Sequence, residues 1–108
     1  MKVINIAEEF SKIPGGRIPE DGPNSGQEFR IKFLIPNLEA NEDIIIKLDG
    51  TRGYSSCFLE EVFGGLVRCG YGKDYLCQQL SFISKRPGLI EEIKGYIIKA
   101  DQNKYKGY

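Results

Sequence analysis

Apolar residues recur along this chain at two spacings, in short consecutive runs and in longer stretches with a period near 3.6, and the two kinds of stretch alternate. Lys2-Val3-Ile4-Asn5-Ile6 reads as a short strand, and Ala7 to Lys12 as a helical turn leading into Pro14. Pro14, Gly15, Gly16, Pro19, Gly22, Pro23 and Gly26 then fit neither a continuous helix nor a central strand. The spacing predicts a loop from Pro14 to Gly26, with a short edge strand near Arg17 and Ile18. Ser25 and Glu28 form a capping-box pattern, and Phe29, Phe33 and Leu34 follow at helical spacing, which predicts a first helix from Ser25 to about Ile35. Pro36 and Asn37 disturb it, while Leu38 extends its apolar face.

Ile44, Ile45 and Ile46 in succession are what a central strand covered on both faces needs, and Asp49-Gly50 closes that strand as turn residues. Phe58, Leu59, Val62, Phe63, Leu66 and Val67 next fall on one continuous stripe of a core-facing helix that Ser55 or Ser56 caps and Gly70 ends. Gly64 and Gly65 inside that helix cost about 1 kcal/mol each against alanine, which points to close packing by a neighbouring backbone or a partner. Lys73 to Gln78 reads as a short helical turn, Leu80 to Ser84 as a strand, and Pro87 to about Asn103 as a final helix with Leu89, Ile90, Ile93, Ile97 and Tyr96 inward. The expected fold is a single small α/β domain over residues 1–104, with a mostly parallel or mixed sheet of about four strands layered with helices, and a frayed tail at 105–108.

Composition narrows the function classes. Among 108 residues, 15 basic side chains balance 15 acidic ones, whereas a dedicated nucleic-acid binder normally concentrates a basic excess on one face. Cys57, Cys69 and Cys77 are an odd number without a Cys-x-x-Cys pair, and the chain contains no histidine, so no metal or other cofactor is expected. The three thiols are read as free and largely buried in a reducing cytoplasm. No charged-then-apolar leader pattern is present at the start, and no apolar run reaches the ~20 residues that span a bilayer, which gives a cytoplasmic expectation.

The candidate chemistry concentrates where the Ile44 strand passes through a hydroxyl-rich turn into the next helix. Carboxyl ends of strands and helix N-termini are where ligands and modifying groups collect in open α/β sheets, which singles out Ser55, Ser56 and Cys57, with Glu60 in the first turn and Arg17 on the loop as further partner-binding candidates. Adjacent helical residues point about 100° apart, so Glu60 and Glu61 read as complements to the helix dipole and not as an acid/base pair. Gly15-Gly16-Arg17 lacks the Gly-x-x-x-x-Gly-Lys pattern of a phosphate loop and reads as a turn with an exposed arginine, positioned to meet an anion or an acidic partner beside the serine turn. Tyr71, Tyr75, Tyr96, Tyr105 and Tyr108 read as rim and tail residues. No catalytic constellation accompanies these groups, and the chain is not expected to be an enzyme.

Several of these segments carry a family resemblance. The Ile-Ile-Ile-Lys-Leu-Asp-Gly strand, the turn and helix start from Ser55 through Phe58 to Glu61, Phe63-Gly64-Gly65-Leu66, the Gly16-Arg17 loop and Ser25-Gly26-x-x-Phe29-Arg30 are similar to STAS-like domains of unknown function, over Val3 to Ile98. Those domains are distant relatives of the STAS fold of bacterial anti-sigma factor antagonists. The resemblance implies a regulatory signalling module that docks onto a protein partner, an ATPase or serine kinase of the histidine-kinase-like fold, through the turn at Ser55–Phe58. In the antagonists a serine at this turn is phosphorylated, and a dianionic phosphate at a docking surface makes a physical switch. Here Tyr54 and Cys57 replace the bracketing aspartate and glycine of that pattern, and the modified position corresponds to Ser56 or to Cys57. The alternative expectation is a small-molecule or nucleotide sensor built on the Gly-rich loop 14–26.

Overall fold

The computed structural model describes residues 1–104; the expected tail, with Tyr105 and Tyr108, lies outside the described residues. Three strands, β1 (Lys2–Asn5), β2 (Ile44–Lys47) and β3 (Leu80–Ile83), form one sheet in the order β1-β2-β3. Both pairs are parallel, with Ile4 opposite Ile46 and Ile46 opposite Phe82, so the triple-isoleucine strand is central as its composition predicts. Parallel neighbours need long crossovers, and helices supply them. Three consecutive segments, Gly26–Phe29, Arg30–Leu34 and Ile35–Glu39, make one helix over 26–39, called α1 here. Ser56–Leu59, Glu60–Gly64 and Gly65–Arg68 likewise make α2 over 56–68. Lys73–Gln79 is α3 and Pro87–Lys104 is α4.

The expected edge strand near Arg17 and Ile18 does not form, so the sheet has three strands instead of about four. That stretch turns through a 3-10 segment, Pro19–Asp21, because Asp21 draws the Arg17 and Ile18 amides onto its carboxylate at 3.2 and 3.3 Å and leaves them no strand to pair with. A second correction concerns the sheet faces. Ile4, Ile44, Ile46 and Leu80 point into the core, but Val3, Ser81 and Ile83 on the opposite face are exposed and Ile45 is only half-buried. The helices therefore cover one face, and β2 is covered on one side only.

Helix α1 continues past Pro36, beyond the end expected near Ile35. A wide turn precedes the proline, in which the Ile35 amide bonds to the carbonyl of Arg30, five residues back. Proline has no N–H to give and its ring crowds the turn before it, and the wider turn accommodates both defects. Phe29, Phe58 and Phe10 pack together at centroid distances of 5.2 to 6.2 Å, while Phe63 meets Phe82 edge-on at 5.5 Å. Around them Leu34, Leu38, Leu59, Val62, Leu66, Leu76, Ile93 and Ile97 complete one core. Ile90 and Tyr96, expected inward, are partly buried at its margin. The cysteines depart from expectation: Cys57, Cys69 and Cys77 are all exposed and unpaired, since each falls off its helix's apolar stripe or just beyond its end.

Candidate functional site

The turn after β2 is built by its own hydroxyls. Ser55 has extended backbone and caps α2, its Oγ accepting from the Phe58 amide at 3.0 Å. The same hydroxyl donates to the carbonyl of Gly15 at 3.1 Å. Ser55 is therefore the cap and is occupied in both directions, while Ser56 is the first helical residue and, like Cys57, stands exposed. Tyr54 lies back on the core, stacked on Phe58 with its hydroxyl donating to the Leu48 carbonyl at 2.6 Å. Desolvation holds its phenol above the ordinary value.

Loop 14–26 lies against this turn, as the Ser55 to Gly15 bond shows. Its polar groups are largely satisfied within the chain: the Gly15 amide donates to the Asn24 carbonyl, the Gly26 amide to Gly16, and the Gln27 amide to Arg17. Ser25 caps α1 with the full capping box, its Oγ accepting from the Glu28 amide at 3.2 Å and its own amide donating to Glu28 at 3.1 Å. At Gly26 the backbones of the two helices lie close together. A Cβ there would lie 2.8 Å from the Phe58 carbonyl oxygen, so only glycine fits.

Five charged side chains from the loop and both helices meet at this approach. Arg17 donates to Glu60 at 2.5 Å and reaches Glu61 at 3.5 Å. Arg68, two turns further along α2, closes on Glu60 at 2.7 Å. Arg30 sits deepest, its side chain 9% exposed, and donates both to the Glu61 carboxylate at 2.8 Å and to the Glu61 carbonyl at 2.5 Å. That carbonyl is available because α2 also has a wide turn, in which the Gly65 amide bonds back to Glu60 instead of Glu61. The Arg30 guanidinium occupies the space a Cβ of Gly65 would need, and the Glu60 carboxylate does the same at Gly64. Close packing at the glycine pair is thus present, supplied by side chains of this chain.

These contacts revise the reading of the two glutamates. Their Cα–Cβ directions diverge, yet their long side chains converge on the same arginines and act as nodes of an ion-pair network as well as first-turn acids. Burial pushes the Glu60 carboxyl up, but hydrogen bonds from Arg68 and Arg17 outweigh it and hold it below its usual value. Arg17 is likewise partnered within the chain. The Arg17 and Ile18 amides that would cradle a phosphate already hold the Asp21 carboxylate.

Sequence reasoning thus brings Arg17, Ser55, Ser56, Cys57 and Glu60 to one end of the molecule, and the structure places them side by side around the start of α2. It missed Arg30 as the buried centre of the network and Arg68 beside it, and assigned Glu61 to the dipole alone. A signal existed: Arg30 falls on the apolar stripe of α1 with Phe29, Phe33 and Leu34, where an arginine is tolerated only if paired. Among the described residues no group of three or more potential metal ligands forms, and no helix is long and apolar enough to cross a membrane.

A one-sided, three-stranded parallel sheet whose central strand feeds an exposed serine turn, locked from behind by arginines and glutamates, defines a small α/β domain with a presented helix start. A family model described as a STAS-like domain of unknown function matches residues 25–86, from the α1 cap to just past β3. The match spans more than half of the chain, and the chain belongs to that family. It is narrower than the Val3 to Ile98 span of the sequence resemblance and leaves out β1, Arg17 and α4. Comparison with curated proteins and with solved structures finds no match.

Proposed function

We propose that this chain is a regulatory protein-interaction module that docks onto a partner of the histidine-kinase-like ATPase fold through the exposed start of α2, with Ser56 at the centre of the contact. The observation that carries this reading is the division of labour at the turn. Both serines are exposed, but Ser55 is engaged by Phe58 and Gly15, while the Ser56 hydroxyl next to it is left to solvent on a helix start that the Arg17, Glu60, Arg68, Glu61 and Arg30 network ties to the loop and to α1. A rigid element presents a contact residue at low entropic cost to binding. A phosphate on Ser56 would add charge and acceptors at the contact without touching the cap, whereas one on Ser55 would remove the proton its hydroxyl gives to the Gly15 carbonyl. Cys57 takes the modifiable position if the correspondence shifts by one residue. The sensor alternative gains no support, since the loop amides that would grip an anion hold Asp21.

A photo-crosslinking residue at position 56, compared with one at exposed Asp74 on α3, tests the reading in the native host. The expected result is capture of an ATPase or kinase of that fold from position 56 and not from 74. The same proteins captured from both positions, or none from 56, would remove it.

A further inference from the structure

Strand β3 ends the sheet on one side, and no described strand pairs with its outer edge. The Leu48 amide donates to the Ile83 carbonyl at 3.0 Å, so Ile83 and, two residues back, Ser81 turn their backbone groups toward β2. Alternation turns the N–H and C=O of Phe82 and the C=O of Leu80 the other way. Natural edges are usually blunted by charge, proline or a covering element, and Leu80-Ser81-Phe82-Ile83 has no charged residue or proline. Beside this edge lies a groove of about 480 Å³ between α3, β3 and α4, with Leu76, Leu80, Phe82, Ile90 and Ile97 along it and Lys94 at its lip.

We propose that this edge and groove accept an extended segment of another protein, paired to β3 as a fourth strand, with apolar residues at alternate positions and one carboxylate on the same side facing Lys94. Main-chain bonding to an edge supplies affinity and side-chain pockets supply choice, which is how extended segments are recognised elsewhere. Charge selects the occupant. Lys94 is exposed and forms no ion pair with a described residue, whereas Lys85 and Arg86, just past the strand, have the Asp49 carboxylate beside them. A second copy of this chain paired through the same edge would offer Leu80-Ser81-Phe82-Ile83, which has no carboxylate to set against Lys94; a carboxylate-bearing segment does. The groove shares no residue with the Ser55–Phe58 turn, so this surface is separate from the one proposed above.

The probe is a capped eight-residue peptide of alternating valine and threonine whose last valine is replaced by glutamate, with a lysine counterpart as control. Titrated into isotopically labelled protein, the glutamate peptide is expected to shift the amide resonances of Ser81, Phe82 and Ile83 saturably and to bind about tenfold more tightly than the lysine peptide, the ratio one well-placed charge supplies. Lys94→Glu is expected to reverse that preference with the melting temperature unchanged, since Lys94 is exposed and forms no ion pair among the described residues. Equal binding of the two peptides, binding indifferent to Lys94→Glu, or shifts confined to the Ser56 turn would overturn the proposal. So would a concentration-dependent dimer that protects the Phe82 amide without peptide, because the edge would then belong to a second copy.

Discussion

Two neighbouring serines at the start of α2 have opposite physical roles. Ser55→Ala loses the bond from the Phe58 amide and the bond to Gly15, and it should lower stability by about 1 kcal/mol in urea unfolding, the usual value of an N-cap. Ser56→Ala removes a hydroxyl with no partner among the described residues and should stay within about 0.5 kcal/mol of wild type. The sequence offered both as caps, because serine is favoured at the cap whichever residue takes it; only the backbone angles separate them. Gly65 gives a sharper sign. Alanine in a helix interior normally gains about 1 kcal/mol over glycine, but here its methyl would displace the Arg30 guanidinium from Glu61, so Gly65→Ala should destabilise. Pairing it with Arg30→Met, which removes the obstructing fork, should return part of the loss. A stabilised Gly65→Ala single variant would show that the guanidinium yields freely. The exposed cysteines were misread because their type is usually buried, while their positions outside the apolar stripe were the better guide.

At the scale of elements, the apolar stripe of α2 was legible residue by residue, since a 3.6 period specifies a buried face directly. Phe63 is fully buried on it and meets Phe82 across to the sheet, so Phe63→Ala should cost about 3 to 5 kcal/mol. A loss below about 1 kcal/mol in denaturant unfolding would show that this face does not carry the core. The widened turns of α1 and α2 were not legible. Pro36 marks the first by its missing N–H, but whether a helix stops there or widens depends on Leu38 finding the core beyond it. Gly64 and Gly65 mark the place of the second, but not the arginine from another helix that takes the Glu61 carbonyl there.

For the molecule as a whole, the alternation of strand and helix patterns was enough to specify one α/β domain with β2 central. The open outer face was not: Ile44, Ile45 and Ile46 look alike, and only the register beside Val3 and Ser81 shows that Ile45 lies on the uncovered side. Locking loop, α1 and α2 together through carboxylates also makes the domain sensitive to acid. Glu60 titrates below its unfolded value of 4.5, so its contribution is complete above that value and is lost as pH falls through the lower folded one. The gap in urea midpoint between wild type and Glu60→Gln should be constant above about pH 6 and shrink below about pH 4.5; a gap independent of pH would mean that the ion pairs are not what Glu60 contributes.

The central claim is that this locked frame presents Ser56 to a protein partner. It is tested most directly by measuring, for a partner captured at position 56, the affinity and the melting temperature of Ser56→Asp beside wild type. Aspartate in the first turn suits the helix dipole and leaves the Ser55 cap intact, so the melting temperature should match wild type while binding weakens about tenfold or more. Wild-type affinity in a variant that folds normally would contradict the claim and leave the serine turn as a helix start and nothing more.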